Sequence, residues 1–152
     1  MKLKIIFAIT ILFCTISMVA NAQDGNNRGG FDIEKIKREK ATFLIKELNL
    51  SDAEAKAFLP VESEFMQKKI QINRNTRDKT RELRKKESKT DADYKKITEI
   101  NLDAEAKEAS LTKEYYQKFS TILSAEKVEK YRRADQKYMQ MLLERRKQKR
   151  GE

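Results

Sequence analysis

Apolar and charged residues alternate with a helical period from residue 31 to residue 150, and almost no helix breaker interrupts them. Apolar positions recur every three or four residues, as in helices that bury one face, except over residues 73–89, where Leu83 is the only large apolar residue. The only proline is Pro60, and all the glycines lie outside this stretch, at Gly25, Gly29, Gly30 and Gly151. The pattern therefore predicts an all-α chain.

The same pattern divides the chain into four helices. The first is expected over about residues 31–48, and the second starts at Ser51. The third opens at Thr90 and the fourth follows Ser124. The second and third helices are long and are joined by a short connection at residues 89–91, which makes them antiparallel neighbours. We therefore expect an elongated helical hairpin.

Two similar phrases open the second and fourth helices, namely Leu50-Ser51-Asp52-Ala53-Glu54 and Leu123-Ser124-Ala125-Glu126-Lys127. In each phrase the serine oxygen can accept a hydrogen bond from a free backbone N–H of the first helical turn. Glu54 stands where its side chain can reach back to Ser51 and complete a capping box. Lys127 occupies that place in the second phrase, so the second box is incomplete.

The first 22 residues have the pattern of a secretory signal. Two lysines precede an almost wholly apolar run over residues 5–19, and Ala20-Asn21-Ala22 is a small-x-small cleavage site. The run is short for a membrane span, which needs about 20 residues. We expect cleavage after Ala22 and a periplasmic protein; an uncleaved membrane anchor is the alternative. Residues 23–30 then form a disordered lead and residues 31–150 a single helical domain.

The amino-acid composition limits which kinds of catalytic or metal-binding site the chain can form. The chain has 34 Lys and Arg against 24 Asp and Glu, and loss of Lys2 and Lys4 with the signal leaves 32 against 24. There is no histidine, and the only cysteine is Cys14 within the predicted signal. The exported chain would thus lack a thiol, an imidazole base and the usual transition-metal ligands. We predict no enzyme, no cofactor and no metal site, although Asp91, Asp93, Asp103, Glu105 and Glu108 could chelate a hard cation.

The two serine phrases resemble the LTxxQ repeats of the Spy/CpxP family of small periplasmic helical proteins. The corresponding stretches are residues 48–54 and 122–131, with serine in place of threonine in both. Glu54 and Lys127 stand where the family has glutamine. The resemblance implies hairpins that pair as a curved antiparallel homodimer, and an ATP-independent chaperone that binds unfolded proteins during envelope stress. The alternative that it implies is a regulatory partner of an envelope sensor or, less favoured, a metal-sensor-like protein.

The second helix carries the candidate client contacts. They are apolar residues followed by cations, namely Phe58, Val61, Phe65, Met66, Arg74, Arg77 and Arg81. The apolar members could equally form a dimer core, and a purely structural dimer is a third alternative. The positive charge suits acidic unfolded clients or a weak contact with an anionic membrane surface, whereas export argues against nucleic acid. The cations from Arg145 to Arg150 suit the helix dipole or an anion in equal measure.

Overall fold

The structure, a computed structural model, describes residues 32–151 without the side chains of residues 149 and 150. It contains four α-helices, α1 (Ile33–Glu47), α2 (Asp52–Lys85), α3 (Asp91–Ser120) and α4 (Ala125–Arg150). No strand occurs within the described range. The all-α prediction is therefore confirmed. The predicted signal at residues 1–22 and the predicted lead at residues 23–30 lie outside the described residues.

Capping residues set where the helices begin. Asp32 accepts a hydrogen bond from the Lys35 N–H at 2.9 Å and caps α1. Ser51 and Thr90 each form a full capping box at the start of α2 and α3. Such caps satisfy backbone N–H groups that have no partner inside the helix. Each helix consequently starts at or within two residues of its predicted position.

Helices α2 and α3 lie side by side and run in opposite directions. Phe65 stacks on Tyr115 with ring centroids 5.1 Å apart. Further along α2, the Asn73 amide donates to the Glu108 carboxylate at 2.7 Å. Just past the end of α2, the Lys86 ammonium pairs with Asp93 at 2.6 Å. Residues later in α2 thus contact residues earlier in α3, as in an antiparallel pair.

The apolar core lies where all four helices meet. Its rings make edge contacts, with centroids 4.9 Å apart for Phe58 and Phe119 and 5.0 Å apart for Phe119 and Tyr131. The buried core cluster consists of Leu44, Leu48, Leu50, Phe58, Phe65, Tyr115, Phe119, Leu123, Tyr131 and Ala134. We call the part of the chain that contains it, residues 32–65 and 115–145, the body. The aromatic pairs add to the stabilisation from apolar burial.

The remainder of the α2–α3 pair, residues 66–114, is called the arm. Among its residues, all of them described, only Thr80 and Asp93 are buried. No helix within residues 32–151 combines the length and apolarity that a membrane span requires. The arm therefore offers exposed helix surfaces, while the body supplies the packed interior.

Candidate functional site on helix α2

The two serine phrases meet in the body. The Ser51 oxygen accepts the Glu54 N–H at 3.3 Å, and the Ser51 N–H donates to the Glu54 carboxylate at 2.8 Å. The Ser124 oxygen accepts the Lys127 N–H at 3.3 Å. The predicted capping residues are thus in place, and the leucine that precedes each serine, Leu50 or Leu123, is buried.

Lys127, the residue that leaves the second box incomplete, connects the two phrases. Its ammonium donates to the Glu54 carboxylate at 2.6 Å and to the Asn49 carbonyl at 3.0 Å. The hydrogen bonds from Lys127 and from the Ser51 backbone lower the pKa of Glu54 to about 2. Glu54 is therefore ionised at neutral pH and ties the start of α2 to the start of α4.

A buried ion cluster lies next to the core. The Lys40 ammonium of α1 contacts the Glu62 carboxylate of α2 at 2.6 Å and also pairs with Asp135 of α4. The Tyr131 hydroxyl donates to Glu62 at 3.3 Å. Lys40 and Glu62 are each only 4% exposed. The cluster thus joins three helices through groups that have little contact with water.

Burial and the two carboxylates of this cluster determine the protonation states of Lys40 and Tyr131. Burial alone lowers the pKa of the Lys40 ammonium, but the Glu62 and Asp135 carboxylates outweigh it and hold that pKa above its usual value. Burial and the same two carboxylates raise the pKa of Tyr131 well above its usual value. Lys40 therefore stays charged and Tyr131 stays neutral. This arrangement fixes the position of α2 in the body and offers no exposed reactive group.

The structure corrects the sequence interpretation of Phe58 and Phe65 as client contacts. Phe58 is 0% and Phe65 is 3% exposed, and both pack against residues of the same chain. Val61 is half-buried against the same core. Helical spacing showed that these residues share a face, but it could not show that α3 and α4 cover that face. Their aromatic surface is thus used for folding.

Met66, Arg74, Arg77 and Arg81 lie on a different face of α2. With Ile70 and Arg84 they recur every three or four residues, which places them in one row along the helix. We call these six residues the basic stripe. The four arginines are exposed, and Met66 and Ile70 are half-buried at the end nearest the body. The stripe extends about 27 Å at the rise of an α-helix.

Little within the described chain neutralises the stripe. Arg74 and Arg84 make no hydrogen bond or ion pair with any described residue. The Arg77 side chain donates to the Asn73 carbonyl at 3.4 Å, and Arg81 lies 3.9 Å from the Glu82 carboxylate. The flanking sequence adds to the charge, because residues 66–89 contain ten Lys or Arg against three Asp or Glu. The stripe can therefore attract acidic groups from solution.

The opposite side of α2 carries a different surface. An open groove between α2 and α3 has Leu83 and Ile100 in its lining, and its charged lining residues are Lys79, Lys96, Glu99 and Asp103. Lys79 follows Arg77 by two residues, which turns it to the other side of the helix. Two cations and two carboxylates balance in this groove. It therefore lacks the single sign of charge that distinguishes the stripe.

The structure also shows contacts that the sequence interpretation missed. Glu62 falls between Phe58 and Phe65 on the apolar face of α2, and an acid at such a position signals a buried partner. The Lys127–Glu54 contact had a weaker signal in the sequence, namely that the two phrases end in residues of opposite charge. Ile70 and Arg84 extend the stripe at its own spacing. Within residues 32–151, no group of three or more His, Cys, Asp or Glu side chains is arranged to hold a metal ion.

Comparison with known proteins gives no further assignment. No family model matches the chain, and no curated protein and no solved structure is significantly similar to it. The resemblance to the Spy/CpxP family therefore rests on the two serine phrases and stays a prediction.

Proposed function

We propose that this chain is a periplasmic chaperone-like protein that binds acidic segments of unfolded proteins on the basic stripe without ATP. The observation that carries the proposal is the row of exposed arginines that begins beside Met66 and Ile70 on one face of α2. Arginine binds carboxylates through several donors, and methionine adapts to apolar groups of varied shape. The stripe thus combines the two kinds of contact that loose recognition requires.

The dimensions of the stripe suit an extended chain. About 27 Å of helix matches roughly eight residues of extended polypeptide. An unfolded client can present its carboxylates along that length, whereas a folded client would meet the narrow helix at only a few points. Long-range attraction by the arginines also speeds encounter with acidic clients. The stripe thus favours unfolded acidic segments over compact proteins.

We further propose that two copies pair as a curved antiparallel homodimer, as the family resemblance implies. Tyr94 and Leu102 support this, because each is 58% exposed on α3. They are eight residues apart and therefore lie close to one face of the helix. A second copy would cover these side chains and leave the stripe on α2 open. Export by the predicted signal at residues 1–22 places the dimer in the periplasm.

The proposal is tested by light scattering from two unrelated acidic proteins that aggregate on dilution from denaturant. Residues 23–152 should suppress scattering from both without ATP. A variant with Arg74→Gln, Arg77→Gln and Arg81→Gln should lose most of this suppression at low salt. The matched control removes three exposed cations of the body by Lys46→Gln, Lys56→Gln and Lys130→Gln. It should suppress scattering as the unchanged protein does.

The outcomes separate the candidate functions. Equal loss in both triple variants would show that net charge alone is responsible, and it would contradict the stripe as the site. Suppression of neither client would contradict the chaperone proposal. Tight binding to one envelope sensor with a fixed stoichiometry would then support the regulatory alternative.

A further inference from the structure

The last turns of α4 carry a second exposed surface that lies apart from the basic stripe. Met139 is 50% and Leu143 is 53% exposed, and they are one turn apart. Arg146 and Lys147, both exposed, follow Leu143 by three and four residues. These spacings place the four side chains on one face of the helix. We call this set the α4 outer face.

The opposite side of α4 is held by α1. The Tyr138 hydroxyl donates to the Ile36 carbonyl at 3.1 Å. About two turns beyond Tyr138, the Arg145 guanidinium pairs with the Glu39 carboxylate at 2.8 Å. These contacts fix the rotation of α4 about its axis, because both engage the side that faces α1. The outer face is therefore presented to solvent by a helix whose orientation is set.

The charge around the outer face is mainly positive. Five of the six residues from Arg145 to Arg150 are Lys or Arg. Glu144 precedes Lys147 by three residues and therefore lies beside it on the helix surface, where it offsets part of this positive charge. Two apolar side chains and two cations thus share a face in a segment that has an excess of cations.

We propose that the α4 outer face binds the surface of an anionic lipid bilayer. An interfacial helix places apolar side chains at the boundary between headgroups and acyl chains, while its cations contact the lipid phosphates. Met139 and Leu143 supply the first contact, and Arg146 and Lys147 supply the second. A nucleic acid would engage the cations alone and leave the apolar pair in water. The lipid surface therefore fits all four side chains.

This surface is separate from the proposed client site. The α4 outer face begins in the body at Met139 and Leu143 and continues just beyond it along α4, whereas the basic stripe runs along the arm on α2. Membrane binding would hold the body at a bilayer and leave the stripe open to clients. The two proposals can thus fail independently of each other.

Co-sedimentation with phosphatidylcholine vesicles, with and without phosphatidylglycerol, tests the proposal. Residues 23–152 are used, because the apolar run at residues 5–19 would enter bilayers by itself. This part keeps every residue that is buried within the described range, since those residues lie between Lys40 and Tyr138. We expect binding to the vesicles that contain phosphatidylglycerol, and little binding to phosphatidylcholine alone. The bound fraction should fall as salt is raised.

Three paired variants locate the surface. Met139→Ser with Leu143→Ser should weaken binding at any salt concentration. Arg146→Gln with Lys147→Gln should weaken it about fivefold for each charge removed. The control, Arg74→Gln with Arg77→Gln, removes the same charge from the stripe and should weaken vesicle binding less than the Arg146→Gln with Lys147→Gln pair does. Circular dichroism checks that every variant keeps its helix content.

Several results would overturn the proposal. Absence of binding to vesicles with phosphatidylglycerol would do so, as would equal binding to both vesicle types. Equal weakening by the control pair would show attraction to net charge alone. Full competition by single-stranded RNA, together with unchanged vesicle binding of the Met139→Ser and Leu143→Ser variant, would assign the surface to nucleic acid instead.

Discussion

The body and the arm are stabilised in different ways. The body packs aromatic side chains from α2, α3 and α4 around Phe119 and holds the Lys40 cluster beside them. The arm is a pair of helices in which only Thr80 and Asp93 are buried. Apolar burial supplies most of the stability of a folded chain. Stability is thus concentrated in the body, and the arm is left with surfaces that can bind.

The arm is stabilised by many weak interactions between residues that are close in sequence. A capping box starts α3 at Thr90, and pairs such as Lys107 with Asp103 lie one turn apart on the helix surface. Each such pair stabilises a helix by about 0.2–0.5 kcal/mol. The Asn73–Glu108 hydrogen bond joins the two arm helices at an exposed position. Local opening should therefore be easier in the arm than in the body.

The largest expected difference comes from truncation of apolar side chains in the two regions. Phe58→Ala should lower the free energy of unfolding by about 3–5 kcal/mol, because it leaves a cavity in the core. Leu83→Ala in the arm should lower it by about 1 kcal/mol or less, because Leu83 is only half-buried. Urea unfolding followed by circular dichroism gives both values. Similar losses for the two variants would contradict the division between body and arm.

The second expected effect concerns the buried ion cluster. Lys40→Ala leaves the Glu62 and Asp135 carboxylates without their cation. Removal of one partner from a buried ion pair lowers the free energy of unfolding by up to about 3–5 kcal/mol. The control Lys46→Ala removes an exposed lysine of α1 and should stay within about 0.5 kcal/mol. The same urea titration measures both. A Lys40→Ala variant as stable as the control would show that the cluster does not stabilise the body.

The third prediction uses pH to isolate the contact between the two serine phrases. Glu54 has a pKa of about 2 in the folded chain against a usual value near 4.5. Its ionised form thus adds stability above about pH 4.5, and this contribution disappears as the pH falls towards 2. Glu54→Gln should therefore destabilise at pH 7, and the difference from the unchanged protein should shrink below pH 4.5.

A matched acid in the arm serves as the control for the Glu54 experiment. Glu87 is exposed and forms no ion pair with any described residue. Glu87→Gln should change stability little at any pH. A constant difference between the Glu54→Gln variant and the unchanged protein from pH 7 to pH 2 would show that ionisation of Glu54 does not support the fold.

The smallest effect on stability is expected from the basic stripe. Arg74→Gln, Arg77→Gln and Arg81→Gln together should leave the free energy of unfolding within about 0.5 kcal/mol per residue changed, because the three side chains are exposed. Removal of neighbouring like charges can even stabilise α2. A large loss of stability, measured by urea unfolding, would show that the stripe belongs to the folded core of the chain.

Local sequence signals predicted the helices well, because those signals act over a few residues. The absence of glycine, the serine and threonine caps and the spacing of apolar residues fix four helices and their starts. The capping box at Ser51 and Glu54 could be predicted because both partners lie within one turn. The same holds for the row formed by Arg74, Arg77 and Arg81, which depends only on helical spacing.

Contacts between helices could not be predicted from those signals. Phe58 and Phe65 share a face by spacing, but only the approach of Tyr115 and Phe119 makes that face an interior. The partner of Lys127 lies 73 positions away in the sequence. Such pairs depend on how the helices pack, and one sequence does not encode that choice in a local pattern.

Photo-crosslinking of an acidic unfolded client to single sites on the two sides of α2 tests most directly whether the basic stripe is the client-binding surface. A photoreactive residue is placed at Arg77 or Arg81 on the stripe, or at Lys79 or Leu83 in the groove lining. We expect crosslinks from positions 77 and 81 and few from positions 79 and 83. Equal or stronger crosslinking from positions 79 and 83 would contradict the stripe as the client-binding surface.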